Sequence, residues 1–114
     1  MSVPMDQWGT PTLTADVAKA TRFLLEKGQA GTFHATGPDY LSRLELAHRV
    51  CEHFRLETGL IRPVSTAQLH QVAKRPLRIH LDCAKLHHLG MEPFHDLEVG
   101  MNELEKWLAT QEGW

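Results

Sequence analysis

Arg75 is the side chain best suited to gripping a phosphate group. Its guanidinium offers forked donors that match phosphate oxygens, Pro76 holds the neighbouring backbone extended, and Lys74 adds a second positive charge. The competing reading ties Arg75 into an ion pair with a carboxylate such as Asp82. Near the start, Gln7 and Thr12 can hydrogen-bond ligand hydroxyls, with Asp6 beside them and Gly9 and Pro11 fixing the turn of the loop. That loop alternatively serves only to join two domains and cap a helix. The chain has eight histidines, and His80, His87, His88 and His95 lie near Asp82 and Cys83, so a metal has to be weighed. No spacing matches HExxH or CxxC with HxxxH, and adjacent His87 and His88 point apart on a helix, so no metal is expected.

These residues need elements to hold them. The first 13 residues, rich in Pro, Gly and Thr, read as loop. A helix is expected over 14–27, capped by Thr14, with Asp16 at the positive end of its dipole and Gly28 ending it in a left-handed turn. Its apolar face would carry Val17, Thr21, Leu24 and Leu25. Residues 31–36 read as a short strand with His34 packed and hydrogen-bonded in its middle. Ser42 and Glu45 form a capping box opening a helix to about residue 54, with Leu44, Ala47, Cys51 and Phe54 inward. Residues 60–64 read as an edge strand, because Pro63 cannot donate to a ladder. Leu77, Ile79 and Leu81 alternate with polar residues, as in a half-buried extended segment. Asp82 caps a short helix through Lys85 and Leu86, and Asp96 caps a last one striped by Leu97, Met101, Leu104 and Leu108. The expected fold is α/β, with about three main helices and short strands. Met91, Phe94, Met101, Trp107 and Trp114 read as core, or as a seam toward another domain.

Composition narrows the class. A chain of 114 residues points to one domain with a modest core. A net charge of −2 gives no electrostatic footprint for nucleic acid or an anionic membrane. The amino terminus lacks the basic and apolar regions of a signal peptide, and no apolar run would span a bilayer. Cys51 and Cys83 read as buried thiols in a reducing compartment, so a cytoplasmic location is expected.

Three stretches together carry a family resemblance. Asp6-Gln7-Trp8-Gly9-Thr10-Pro11-Thr12 is similar to the DQxGxPT loop of dTDP-4-dehydrorhamnose reductases, and residues 15–18 continue the match. Gly31-Thr32-Phe33-His34-Ala35-Thr36-Gly37, followed by Ser42 and Glu45-Leu46-Ala47 in the order Ser42, Glu45, then Ala47, resembles the family's G-(I/T)-(Y/F)-H-x-(S/T)-G strand and the helix behind it. Ala73-Lys74-Arg75-Pro76, then Leu81-Asp82 and Lys85-Leu86, resembles its (A/K)RPxxxxLD-xxKL segment. The same segments are similar to the regulatory β subunit of methionine adenosyltransferase, a relative that works as a binding partner.

The resemblance implies the carboxy-terminal, substrate-binding part of a Rossmann-type extended short-chain dehydrogenase, spanning 1–114 with its amino-terminal Rossmann domain missing. The family reduces a 4-keto nucleotide sugar with NADPH or NADH on the way to dTDP-rhamnose. It also implies a sugar-proximal role for Gln7 and Thr12 and a diphosphate contact for Arg75, with Asp6, Gly9, Pro11, His34, Pro76 and Asp82 as motif or structural positions. The sequence has no GxxGxxG loop, and its one tyrosine, Tyr40, has Leu44 where a Tyr-x-x-x-Lys pair needs lysine. The chain alone is therefore not expected to catalyse. Its expected partners are a dTDP-linked sugar and the missing Rossmann domain or a partner protein. The alternative is a non-catalytic interaction subunit. With strand edges and a seam uncovered, the isolated chain is expected to be marginally folded or self-associated.

Overall fold

The computed structural model describes residues 1–111, so Trp114 lies outside the described residues. The chain is α/β and divides into two compact units, Met1–Thr10 with Tyr40–His80, and Pro11–Asp39 with residues 81–111.

In the first unit, strand β1 (Ser2–Pro4) pairs in parallel with β4 (Arg62–Val64), Val3 opposite Pro63. The ladder donors that matter come from other residues: Arg62 N–H reaches the Met1 carbonyl at 2.8 Å and Met5 N–H the Val64 carbonyl at 2.9 Å. Pro63 is thus tolerated, as an edge position allows. The expected strand over 60–64 exists but is shorter, and its partner lies within the chain. Strand β2 (Trp8–Gly9) pairs antiparallel with β3 (Leu41–Ser42). Helix α2 (Arg43–His53) follows directly, and Ser42 Oγ accepts from Glu45 N–H at 3.0 Å. The other half of the expected box is not made, because the Glu45 carboxylate takes Arg49 at 3.0 Å instead. Val3, Leu41 and Val64 are buried, whereas every α2 side chain stays at least partly exposed, the expected inward set included.

In the second unit, helix α1 (Thr14–Glu26) and the short α3 (Ala84–His88) pack around Ala20, Leu86 and Phe94, with Phe33, Ala35 and Met91 against them, while α4 (Leu97–Ala109) brings Gly100 beside Leu13. Leu13, not Thr14, is the residue before the α1 turn, and no side chain caps it. The far end follows expectation: Gly28 has φ +61°, its N–H bonds the Leu25 carbonyl, and Gln29 N–H bonds the Leu24 carbonyl, both at 3.0 Å. The inward face is a correction. Asp16 and Ala20 are buried and Phe23 and Leu24 pack on the core, while Val17 and Leu25 face solvent at 39% and 75% exposure. The inward set contains an aspartate, so a search for apolar periodicity lands one step around the helix. Asp96 Oδ1 accepts from Val99 N–H at 2.8 Å and starts α4 as expected, whereas Cys83 is the residue before α3, and Asp82, one position further out, accepts from Ala84 N–H at 2.7 Å. On α4, Met101 is buried, but Leu104 is 42% exposed and Trp107 56%.

Residues 31–36 form no strand. Their polar backbone atoms are claimed by side chains: Thr36 N–H by Cys83 Sγ at 3.3 Å and the Thr32 carbonyl by Lys85 Nζ at 2.8 Å. Cys51 and Cys83 are free thiols, but half-buried rather than buried. Among the described residues, no helix is long and apolar enough to cross a membrane.

Candidate functional site

The first unit carries a cavity of about 520 Å³ lined by Asp6, Thr66, His70, Lys74, Arg75 and Leu77, among others. Its floor is built by the opening loop. The Asp6 carboxylate accepts Thr66 N–H at 2.9 Å and the Thr66 hydroxyl at 2.6 Å. These two bonds, the hydroxyl first, hold the Asp6 carboxyl below its ordinary range. Gln7 is buried, and its amide donates to Thr66 Oγ1 at 3.1 Å and Gln71 Oε1 at 3.4 Å. Asp6 and Gln7 thereby pin the start of a short 3₁₀ turn, Thr66–Leu69, and Gln7 also holds Gln71 just beyond it, ahead of the basic stretch. A second capping box opens that turn, Ser65 N–H donating to Gln68 Oε1 at 2.7 Å. Its Ser-x-x-Gln signature stands in the sequence.

Arg75 and Lys74 line this cavity and are exposed. Arg75 makes no ion pair or hydrogen bond among the described residues, and Asp82 spends an oxygen on the Ala84 N–H. The guanidinium is available to an anion. Gly9 does not fix a turn: it is a strand residue opposite Leu41, and a Cβ there would meet nothing within 4 Å.

Pro11, Thr12, His34 and Asp82 belong to the second unit. Thr12 Oγ1 accepts the Gly37 N–H at 3.0 Å. His34 is exposed and makes no hydrogen bond among the described residues, so its expected packed role is corrected, for the loop it sits on has no ladder to fix it.

Two arrangements were not read from the sequence. Buried Asp16 accepts the His95 N–H at 2.9 Å and contacts His95 Nδ1 at 2.8 Å. Nothing in the spacing of residues 79 apart announces that pair. The second is a ring column in the first unit. Trp8 and Tyr40 have centroids 5.5 Å apart, Tyr40 and His80 5.1 Å, and the Arg78 guanidinium lies 5.9 Å from the Trp8 ring. Among the described residues, no group of three or more His, Cys, Asp or Glu side chains is placed to hold a metal.

The comparisons with known proteins agree with this architecture. A family model described as the RmlD substrate binding domain matches residues 1–108. The methionine adenosyltransferase 2 subunit beta of Rattus norvegicus is 33% identical over 109 residues, covering 90% of this chain and 32% of that protein. The dTDP-4-keto-6-deoxy-D-glucose reductase of Streptomyces niveus is 32% identical over 107 residues, covering 94% and 37%. The crystal structure of dTDP-4-dehydrorhamnose reductase from Bacillus anthracis, in complex with NADP, superposes with a TM-score of 0.83 at 26% identity, over 90% of this chain and 36% of that one. The chain thus spans about a third of the length of the relatives it matches.

Proposed function

Because the chain belongs to the RmlD substrate binding domain family, we propose that it is the carboxy-terminal, substrate-binding part of a dTDP-4-dehydrorhamnose reductase-like protein. It holds a dTDP-linked sugar while a Rossmann domain outside this sequence supplies NADPH or NADH for reducing the 4-keto group. The observation that carries this reading is the cavity that Asp6 and Arg75 share. Asp6, from the DQxGxPT-like loop, fastens the turn leading to the RP-type segment, and Arg75 lines the same cavity with its donors uncommitted. Forked donors on an exposed arm suit a diphosphate.

Gln7 and Thr12 take supporting roles. The Gln7 amide fixes Thr66 and Gln71, and Thr12 holds Gly37, so both act on the ligand through the loops they shape. The chain's own residues do not fit a dinucleotide: it has no GxxGxxG loop, and Tyr40 has Leu44, not lysine, four positions on. No hydride-transfer step is assigned to them. The free Cys51 and Cys83 support a cytoplasmic setting as part of this reading.

The rat β subunit's 33% identity over 109 residues favours a second reading, a non-catalytic interaction subunit. Calorimetry separates the two. On the first reading, a dTDP-linked sugar binds weakly, since part of the pocket wall is supplied elsewhere, and Arg75→Ala abolishes the heat. Unchanged binding by Arg75→Ala contradicts the assignment of the diphosphate. Saturable binding to a methionine adenosyltransferase catalytic subunit, with none to the sugar nucleotide, supports the second reading. The purified chain alone should not oxidise NADPH with a dTDP-4-keto sugar above a no-protein control.

A further inference from the structure

We propose that His70 makes the grip of the Asp6 cavity on a phosphate-bearing ligand depend on pH, its imidazole joining Lys74 and Arg75 as a third cation only when it carries a proton. The inference rests on the nucleotide-sugar reading and adds regulation to that same site.

His70 lines the cavity together with Lys74 and Arg75. It ends the Thr66–Leu69 turn with φ 48° and ψ 41°, in the left-handed region. A residue with a Cβ crowds its own backbone there, at a steric cost that glycine escapes. Such conformations persist where the surroundings fix them, and they gather at functional sites. Here the chain is fastened on both sides of the histidine. The Asp6 carboxylate holds Thr66, the Gln7 amide holds Gln71 at 3.4 Å, and the His70 N–H itself reaches the Ala67 carbonyl at 3.4 Å. Between these anchors the His70 side chain is exposed and makes no hydrogen bond, ion pair or ring contact among the described residues. His95 and His87, by contrast, engage Nδ1 with Asp16 and with the Met91 carbonyl. An imidazole at a cavity wall with both nitrogens uncommitted is open to a ligand oxygen.

The other titratable groups lining this cavity are Asp6, from the opening loop, and Lys74 and Arg75, from the basic stretch. Lysine and arginine side chains stay protonated from about pH 5 to about pH 8. The Thr66 hydroxyl and N–H keep the Asp6 carboxylate ionised over the same range. Imidazole is the side chain that changes charge there. Protonation of His70 therefore takes the lining from one net positive charge to two. The diphosphate of a sugar nucleotide is esterified at both ends and has no proton to lose in this range, so pH dependence of its binding comes from the protein. The added contact is charge-assisted but exposed, which limits it to roughly threefold to fivefold in affinity. Linkage fixes the sign: a ligand that prefers protonated His70 raises the pH at which that ring titrates.

The test is calorimetry of the full chain with dTDP-glucose at constant ionic strength, at about pH 8 and at about pH 5.5. Affinity should rise roughly threefold to fivefold at the lower pH. His70→Asn tolerates the left-handed turn but cannot titrate, so it should bind at both pH values as the parent does at the higher one. A second readout needs no variant. The His70 ring proton signals, followed through pH by NMR, should titrate about half a pH unit higher with dTDP-glucose bound than without it. Parent affinity that responds to Arg75→Ala but not to pH overturns the role of His70 and leaves the nucleotide-sugar reading standing. So does pH dependence that survives in His70→Asn, or a His70 titration that the ligand does not move. No binding of dTDP-glucose at millimolar concentration at either pH overturns both readings.

Discussion

Gly37 lies backbone-on against Thr12 and its neighbour: its N–H donates to Thr12 Oγ1 at 3.0 Å, and a Cβ on it would strike the Pro11 carbonyl oxygen. Pro11, Thr12 and the loop around His34 are therefore one packed structure within the second unit. A side chain at position 37 must push backbone aside, which costs about 1–3 kcal/mol or more. Gly37→Ala should lower the urea midpoint accordingly. Gly9→Ala, where a Cβ meets nothing within 4 Å, should cost no more than a few tenths of that. Equal losses at the two glycines would contradict the geometry.

Asp6 makes the first unit sensitive to acid. The Thr66 hydroxyl and N–H bond its ionised form, so its carboxyl titrates below its ordinary value. A carboxyl depressed in the folded state contributes stability above its unfolded value, and that contribution is lost as pH falls through the lower folded value. Thr66→Val removes the hydroxyl bond. NMR titration should then find Asp6 moved up toward its ordinary value, with acid unfolding of the variant beginning at higher pH. An Asp6 that titrates normally in the parent chain would refute this.

Asp16 is the more expensive carboxylate to remove. It is 3% exposed and accepts from both the backbone and the ring of His95. Asp16→Ala leaves those donors unanswered and should cost about 1.5–3 kcal/mol by chemical denaturation. Lys19 stands 3.9 Å from the same carboxylate but is itself exposed, so Lys19→Ala should cost less than about 1 kcal/mol. A Lys19 variant as unstable as the Asp16 variant would place the node elsewhere.

What could be read from the sequence was local. The Asp96 cap, the Gly28 turn and the Pro63 edge strand each depend on a few neighbouring residues, and each is present. The features that escaped depend on distant partners. The α1 face was misplaced because Asp16 turns inward to meet His95, 79 positions away. Residues 31–36 have strand composition but lose their ladder to Cys83 and Lys85. Of the site, the motif residues Asp6 and Arg75 were legible and do line one cavity. Arg78 carries no such local signal, because its place beside the Trp8 ring comes from a strand bridge rather than from its neighbours in sequence.

Trp107, Leu104 and Val17 leave apolar surface open on the second unit. A chain spanning about a third of its relatives' length should use such surface to meet the remainder. Sedimentation of the isolated chain should show concentration-dependent association. Adding the Rossmann part of a reductase of this family should suppress it and raise the melting temperature by mass action. A strictly monomeric chain whose melt ignores that part would show a self-sufficient domain.

The most direct test is an amide NMR titration of the full chain with a dTDP-linked 6-deoxy sugar. If the chain is the nucleotide-sugar-holding part of a reductase-like protein, saturable shifts appear within residues 6–9 and 66–80, and Arg75→Ala removes those at 74–77. Spectra unchanged at millimolar ligand, or shifts confined to α4, would contradict the account.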